Sequence, residues 1–204
     1  MTTIAVIDHG AGNIVSIVRG LERGAASAVV VDHGDLDGFD GVVLPGVGAT
    51  AAAMERLDAT GLSAALREWP GPLLGICVGL QLLFDGSDEH GGGDCLGLIP
   101  GRVRRLEHAP LLPHIGWNDV TLTDHPLFTG IATGTPFYFV HSFAPVPDDE
   151  EAVIGRTEYG TDFAAAVADG RRVGVQFHPE RSGAAGLAVL ANFVSVCGER
   201  TRAA

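Results

Sequence analysis

The chain has 204 residues, 46% of them hydrophobic and 19% charged, which is enough apolar material for one compact core and argues against a disordered chain. A formal net charge of −12 disfavours nucleic-acid backbones and anionic lipid surfaces as partners, and although every cationic side chain is Arg, none forms a basic stripe. The three cysteines, Cys77, Cys95 and Cys197, are too few and too scattered for a disulfide framework.

The first apolar run, Ile4–Ile7, suits a strand buried on both faces of a parallel sheet. The residues before it lack a basic segment and the run is too short for a secretion signal; no run approaches the ~20 apolar residues of a membrane span, so a cytoplasmic protein is expected. Gly10 to Asn13 form a turn, after which Ile14, Val15, Val18 and Leu21 recur at helical spacing. Val29–Val31 and Val42–Leu44 read as further strands, the second ended by Pro45. Ala49 to Trp69 reads as helix with a break near Gly61. Leu73–Ile76 is a fourth strand running straight into Cys77, with an apolar helix predicted from Leu80 to Phe84.

In the second half, Val120–Leu122, Pro136–His141, Val153–Thr157, Phe163–Val167 and Val173–Phe177 are strand candidates, several joined by short turns containing Gly or Asp-Gly. They are expected to extend the same sheet in antiparallel or mixed fashion, with an amphipathic terminal helix over Gly186–Val196. The predicted fold is α/β: one domain over residues 1–204, with an open, mixed, mostly parallel sheet flanked by helices.

Three short segments carry the chemistry. In Gly75-Ile76-Cys77-Val78-Gly79, a thiol sits between a predicted strand and a helix, flanked by glycines, which is the layout of a nucleophile elbow. The first amides of the following helix, beginning with Val78, can meet a developing oxyanion, and the helix dipole lies behind the sulfur. Taken alone, Cys77 reads equally well as a buried apolar thiol. Pro45-Gly46-Val47-Gly48 also ends a predicted strand; alone it is an ordinary turn, but ligands of open α/β sheets bind at the carboxyl ends of strands. His178-Pro179-Glu180 follows the last predicted strand, and residues two apart in extended chain face one side. Glu180 can then hold one ring nitrogen of His178 while the other faces a thiol. No metal-ligand spacing, Walker-type loop or dinucleotide fingerprint is present, so neither metal nor cofactor is expected.

Together, Pro45–Gly48, Gly75-Ile76-Cys77-Val78-Gly79-Leu80-Gln81 and His178-Pro179-Glu180 resemble the class I (triad) glutamine amidotransferases in order and spacing across almost the whole chain. Four further segments are similar to the glutaminase subunits of imidazole glycerol phosphate synthases in histidine biosynthesis: Asp8–Asn13, Leu112–Asn118 with its His-Ile-Gly-Trp-Asn run, Tyr138–Phe143, and Gly174–Ser182. The resemblance implies a flavodoxin-like three-layer fold and L-glutamine as substrate. It implies Cys77, His178 and Glu180 as catalytic, Val47, Gly48 and Val78 as the oxyanion site, and Gly46, Gln81, Ser142 and Phe143 around the substrate. A (β/α)8-barrel synthase subunit is the implied partner, forming a heterodimer that receives ammonia, with Asn13, Trp117, Tyr138 and Arg181 near the interface. Core or surface packing remains an alternative for Trp117 and Tyr138.

The chain departs mildly from the family pattern at His9, Val78 and Leu80, where Tyr, Leu and Met are usual. Phe143 lacks the hydroxyl of the commoner Tyr, and Arg181 replaces Lys, exchanging a point charge for a planar fork. Two rival functions remain: the glutaminase of another triad amidotransferase, serving pyridoxal phosphate or anthranilate synthesis, and a non-catalytic module on the same fold.

Overall fold

The computed structural model describes residues 1–203. In chain order the elements are β1 (Thr3–Ile7), α1 (Ile14–Arg23), β2 (Ser27–Val31), β3 (Gly41–Gly46), α2 (Thr50–Ala59), α3 (Leu62–Glu68), β4 (Leu73–Cys77), α4 (Val78–Gln81), β5 (Phe84–Ser87), β6 (Gly93–Asp94) and β7 (Ile99–Arg105). There follow β8 (His114–Leu122), β9 (Thr135–His141), β10 (Phe143–Pro147), β11 (Val153–Glu158), β12 (Asp162–Asp169), β13 (Arg172–Val175) and α5 (Gly183–Ala203).

The main sheet runs β2-β1-β3-β4-β13-β12-β11-β8-β9. Its pairs are parallel from β2 to β13 and antiparallel from β13 to β9. The continuous apolar runs behave as their composition requires: β3 and β4 are buried at every residue, while β2, at the sheet edge, leaves Val29 and Val30 exposed. The β1–β2 and β3–β4 crossovers proceed in opposite directions along the sheet, so right-handed connections put α1 and the α2–α3 pair on opposite faces. Helix α5 joins α1 on its face: Gly20 abuts Leu190, and Gly41 of β3 abuts Cys197. The break expected near Gly61 lies there, with that residue at φ +77 between α2 and α3.

Two expectations need correction. The helix predicted over Leu80–Phe84 is instead the single turn α4, ending at Gln81, and Phe84 opens β5. The second half does extend the main sheet through β8, β9, β11 and β12, but β10-β7-β5-β6 form a separate four-stranded sheet that the sequence reading did not foresee. Prolines and glycines inside these segments (Pro100 and Gly101 in β7, Pro145 and Pro147 in β10) mimic turn signals. The structure accommodates them by placing β10 at an edge and giving Gly101 a φ of +129. One apolar cluster runs beneath both sheets, joining Phe84, Ile99 and Val103 to Ile4, Leu74 and Val175.

Candidate active site

Because β3, β4 and β13 are parallel neighbours, their carboxyl ends emerge together. Gly46 pairs with Cys77 across β3–β4, and Ile76 with Val175 across β4–β13. The segments read as Pro45–Gly48, the cysteine elbow and His178–Glu180 therefore meet at one edge of the sheet, as expected for an open α/β fold.

Cys77 adopts φ 54 and ψ −109, a conformation that an L-residue holds only when its surroundings enforce it, at about 1–3 kcal/mol. The flanking glycines make the turn possible. A Cβ on Gly75 would stand 2.7 Å from the Leu80 backbone nitrogen, and one on Gly79 would overlap the carbonyl oxygen of Leu44. With only four residues, α4 has little macrodipole behind the sulfur; what it does supply is its first amide groups, which no helical turn satisfies.

A cavity of about 140 Å³ opens beside Cys77. Val47, Gly48, Val78, Gln81, Ser142 and Phe143, all expected around the substrate or its oxyanion, line it. Gly46 lies one layer deeper, packed against Val78 and Gly79. Gly48 has φ +88 and open space where a side chain would project, so its peptide can turn toward the cavity. Gln81 donates through Nε2 to the Phe143 carbonyl at 2.8 Å and to Gln176 Oε1 at 3.1 Å. The Ser142 carbonyl is also occupied, by the Leu106 amide at 3.0 Å.

Three lining residues were not foreseen: Glu89, Val140 and His141. Glu89 comes from the acidic, Gly-rich loop between β5 and β6, whose composition reads as exposed; its Oε2 accepts from the Thr50 amide at 2.9 Å. His141 is buried, and burial lowers its pKa to about 3, so it is neutral at pH 7. Its Nδ1 donates to the Phe143 carbonyl at 2.9 Å. Only tertiary packing brings Glu89 to the cavity, whereas Val140 and His141 directly precede Ser142 and Phe143 in the Tyr138–Phe143 segment.

His178 follows β13 and is locked from several sides. Its amide donates to the Tyr138 carbonyl at 2.8 Å, and its own carbonyl accepts from Ser182 Oγ at 2.7 Å. Nδ1 meets Glu180 Oε1 at 3.0 Å, both side chains being almost fully buried. Nε2 is buried and short of any formed hydrogen bond, although Cys77 is near enough to act on the ring. Burial by itself pulls the imidazolium pKa down, but the nearby Cys77 sulfur and the hydrogen-bonded Glu180 carboxylate outweigh it and raise the value to about 10. A thiol on a strained elbow, an imidazole that holds its proton firmly and an orienting carboxylate are the parts needed for nucleophilic acyl chemistry. Among the described residues no group of three or more His, Cys, Asp or Glu is arranged to hold a metal ion.

The residues expected at an interface are only partly together. Trp117 and Tyr138 face each other across β8–β9, their rings edge to face at 6.1 Å. The Arg181 guanidinium sits 5.9 Å from the Tyr138 ring centroid. Trp117 is 57% exposed, beside the equally exposed Ile115. Asn13 is half-buried at the start of α1, and no ring contact or hydrogen bond of its side chain joins it to the other three.

Comparison with known proteins adds the lineage. The family described as glutamine amidotransferase class-I matches residues 5–197. The imidazole glycerol phosphate synthase subunit HisH of Moorella thermoacetica is 50% identical over 198 residues, covering 95% of this chain and 94% of the relative. HisH of Halobacterium salinarum is 46% identical over 209 residues, covering 97% and 95%. Among solved structures, a glutamine amidotransferase superposes with a TM-score of 0.73 at 20% identity, covering 96% of this chain and 98% of that one. A chain of PurLQS from Thermotoga maritima gives 0.72 at 21%, covering 95% and 98%. These two likenesses speak to the fold alone. By the family match and the near-full-length identity to its HisH members, this chain belongs to the class-I glutamine amidotransferases and, within them, to the HisH subunits of imidazole glycerol phosphate synthase.

Proposed function

We propose that this chain hydrolyses L-glutamine to L-glutamate and ammonia through a thioester on Cys77, and delivers the ammonia to a (β/α)8-barrel synthase subunit that makes imidazole glycerol phosphate. The observation that carries this reading is the meeting of Cys77, His178 and Glu180 at adjacent strand ends beside the cavity, with the ring held at a pKa of about 10 by its two neighbours.

In the mechanism, the Cys77 sulfur attacks the carboxamide carbon of glutamine, and the carbonyl oxygen becomes an oxyanion. The Val78 amide and a peptide N–H of the Val47–Gly48 turn are the donors on either side of the cysteine. His178 gives its proton to the departing nitrogen, the C–N bond breaks, and ammonia leaves behind an acyl thioester. The neutral imidazole then takes a proton from water, whose oxygen attacks the thioester and releases glutamate and the thiol. Glu180 keeps Nδ1 protonated and the ring aimed. Glu89 supplies a carboxylate at the cavity wall for the substrate α-ammonium group. Neutral His141 shapes the wall and carries no proton for the reaction.

Docking of the barrel partner is assigned to the face carrying Ile115, Trp117, Tyr138 and Arg181. Exposed aromatic and Arg side chains of this kind are enriched at protein contacts.

The test is glutamate release by the full chain with its barrel synthase present. Cys77→Ala is expected to abolish release and to leave partner binding intact; retained release would remove the nucleophile assignment. Complementation of a histidine auxotroph separates this reading from another triad glutaminase.

A further inference from the structure

Gln176 is fully buried, one residue beyond the end of β13 and two before His178. The mechanism above gives it no part, yet its side chain reaches the nucleophile: Nε2 lies 3.6 Å from Cys77 Sγ, within hydrogen-bond range for a sulfur acceptor. A carboxamide can be turned end for end, so the assignment of its nitrogen depends on its other partner. That partner is Gln81, whose Nε2 also bonds the Phe143 carbonyl at 2.8 Å. The Phe143 oxygen can only accept, so the Gln81 nitrogen faces it. The second hydrogen of that nitrogen then points to Gln176, which must present its oxygen. The Gln176 nitrogen is thereby left for the sulfur. The order of donation runs from Gln81 to Gln176 to Cys77, with one polarity throughout.

A further polar contact of the sulfur is the Val140 carbonyl, long at 4.0 Å and able only to accept from a thiol. The Gln176 contact has the opposite sense. It donates to sulfur, and so favours the anion and fixes the direction of its lone pairs.

We propose that Gln176 is a positioning residue for the reaction: its carboxamide, oriented by Gln81, donates to the Cys77 sulfur, holds it toward the cavity and stabilises it as the attacking thiolate. The proposal deepens the glutaminase reading and rests on it. It also gives Gln81 a second task, since the side chain expected to hold substrate sets the amide that holds the nucleophile.

The experiment replaces Gln176 by Met, which keeps length and apolar packing but cannot donate. Glutamate release is measured with the barrel synthase present, and alkylation of Cys77 by iodoacetamide at pH 7 is followed by peptide mass spectrometry on the full chain. Expected results are a kcat at least tenfold lower, a KM for glutamine within threefold of the original, and a parallel fall in the alkylation rate. A purely structural role would lower melting temperature without moving kcat and alkylation together. Gln81→Met keeps the Gln176 amide but removes what orients it, and is expected to slow alkylation severalfold; it decides the matter should Gln176→Met not fold. Wild-type kcat and alkylation rate in Gln176→Met, with Cys77→Ala inactive, would overturn the role of Gln176 alone. Glutamate release by Cys77→Ala would overturn the glutaminase reading beneath it.

Discussion

His9 Nε2 meets the carbonyl oxygen of Pro45 at 2.8 Å in a buried contact, tying the loop after β1 to the strand end that faces Cys77. A carbonyl only accepts, so Nε2 carries the proton, and Nδ1 is left buried without a partner. Pro45 is held while Val47 and Gly48 beyond it are exposed, so His9 fixes the base from which the oxyanion peptide extends. Replacing His9 by Phe removes both the tether and the unpaired nitrogen. These changes oppose each other in stability, each on the order of 1–3 kcal/mol. The expected outcome is a melting temperature within about 4 °C of the original and a kcat lowered by roughly threefold to tenfold through a misplaced donor. Calorimetry and steady-state glutamate assays check the two halves separately.

Glu89 can be tested without disturbing its hold on Thr50, because Gln in its place still offers an oxygen to the Thr50 amide. Loss of the charge removes only the contact proposed for the substrate ammonium group. Glu89→Gln is expected to raise KM for glutamine by roughly tenfold or more, in keeping with about 1.5–3 kcal/mol for a charged hydrogen bond, while kcat stays within about twofold.

His178 makes stability depend on pH in a stated direction. Its pKa rises from 6.5 to about 10 on folding, so below pH 6.5 both folded and unfolded chains carry the proton and its stabilisation is fully present. Between these values only the folded chain keeps the proton, and stability falls as pH rises, the contribution being lost above about 10. Melting curves from pH 6.5 to 10 are expected to decline less steeply in His178→Asn than in the original chain. Equal slopes would show that the ring does not hold its proton in the fold.

The face carrying Trp117 is the fourth test. Trp117→Ala should weaken binding of the barrel synthase by about 30-fold, the effect of losing about 2 kcal/mol at a central aromatic contact. Basal glutaminase activity of the lone chain is expected to change by less than about twofold. Titration calorimetry against the synthase reads the first, and glutamate release without it the second.

Much of this was written in the chain because strong local rules coincide there. Ile4–Ile7, Val42–Leu44 and Leu73–Ile76 are buried on both faces and so are apolar without interruption. Cys77 needs small residues on either side, and His178 and Glu180 are two apart in extended chain. Residues whose role depends on a distant contact gave no such mark. Glu89 looks like one more acid in a Gly-rich loop, Gln176 like a polar residue in an apolar strand, and His141 like the end of an alternating one. The four-stranded second sheet escaped for a related reason: Pro100, Gly101, Pro145 and Pro147 are turn residues by composition, and only pairing partners elsewhere in the chain make strands of those segments.

The register Ile76↔Val175 has a consequence for how the molecule loosens. The nucleophile ends β4 and the base follows β13, neighbouring strands in the middle of the nine, so much of their spacing is inherited from the ladder between them. Fraying that begins at β2 must travel inward through several ladders before it can separate them, whereas β9 reaches the base directly through the Tyr138 carbonyl. Amide protons of β4 and β13 should therefore be among the slowest in the chain to exchange with deuterium, and heat should strip β2 before it parts the sulfur from the ring.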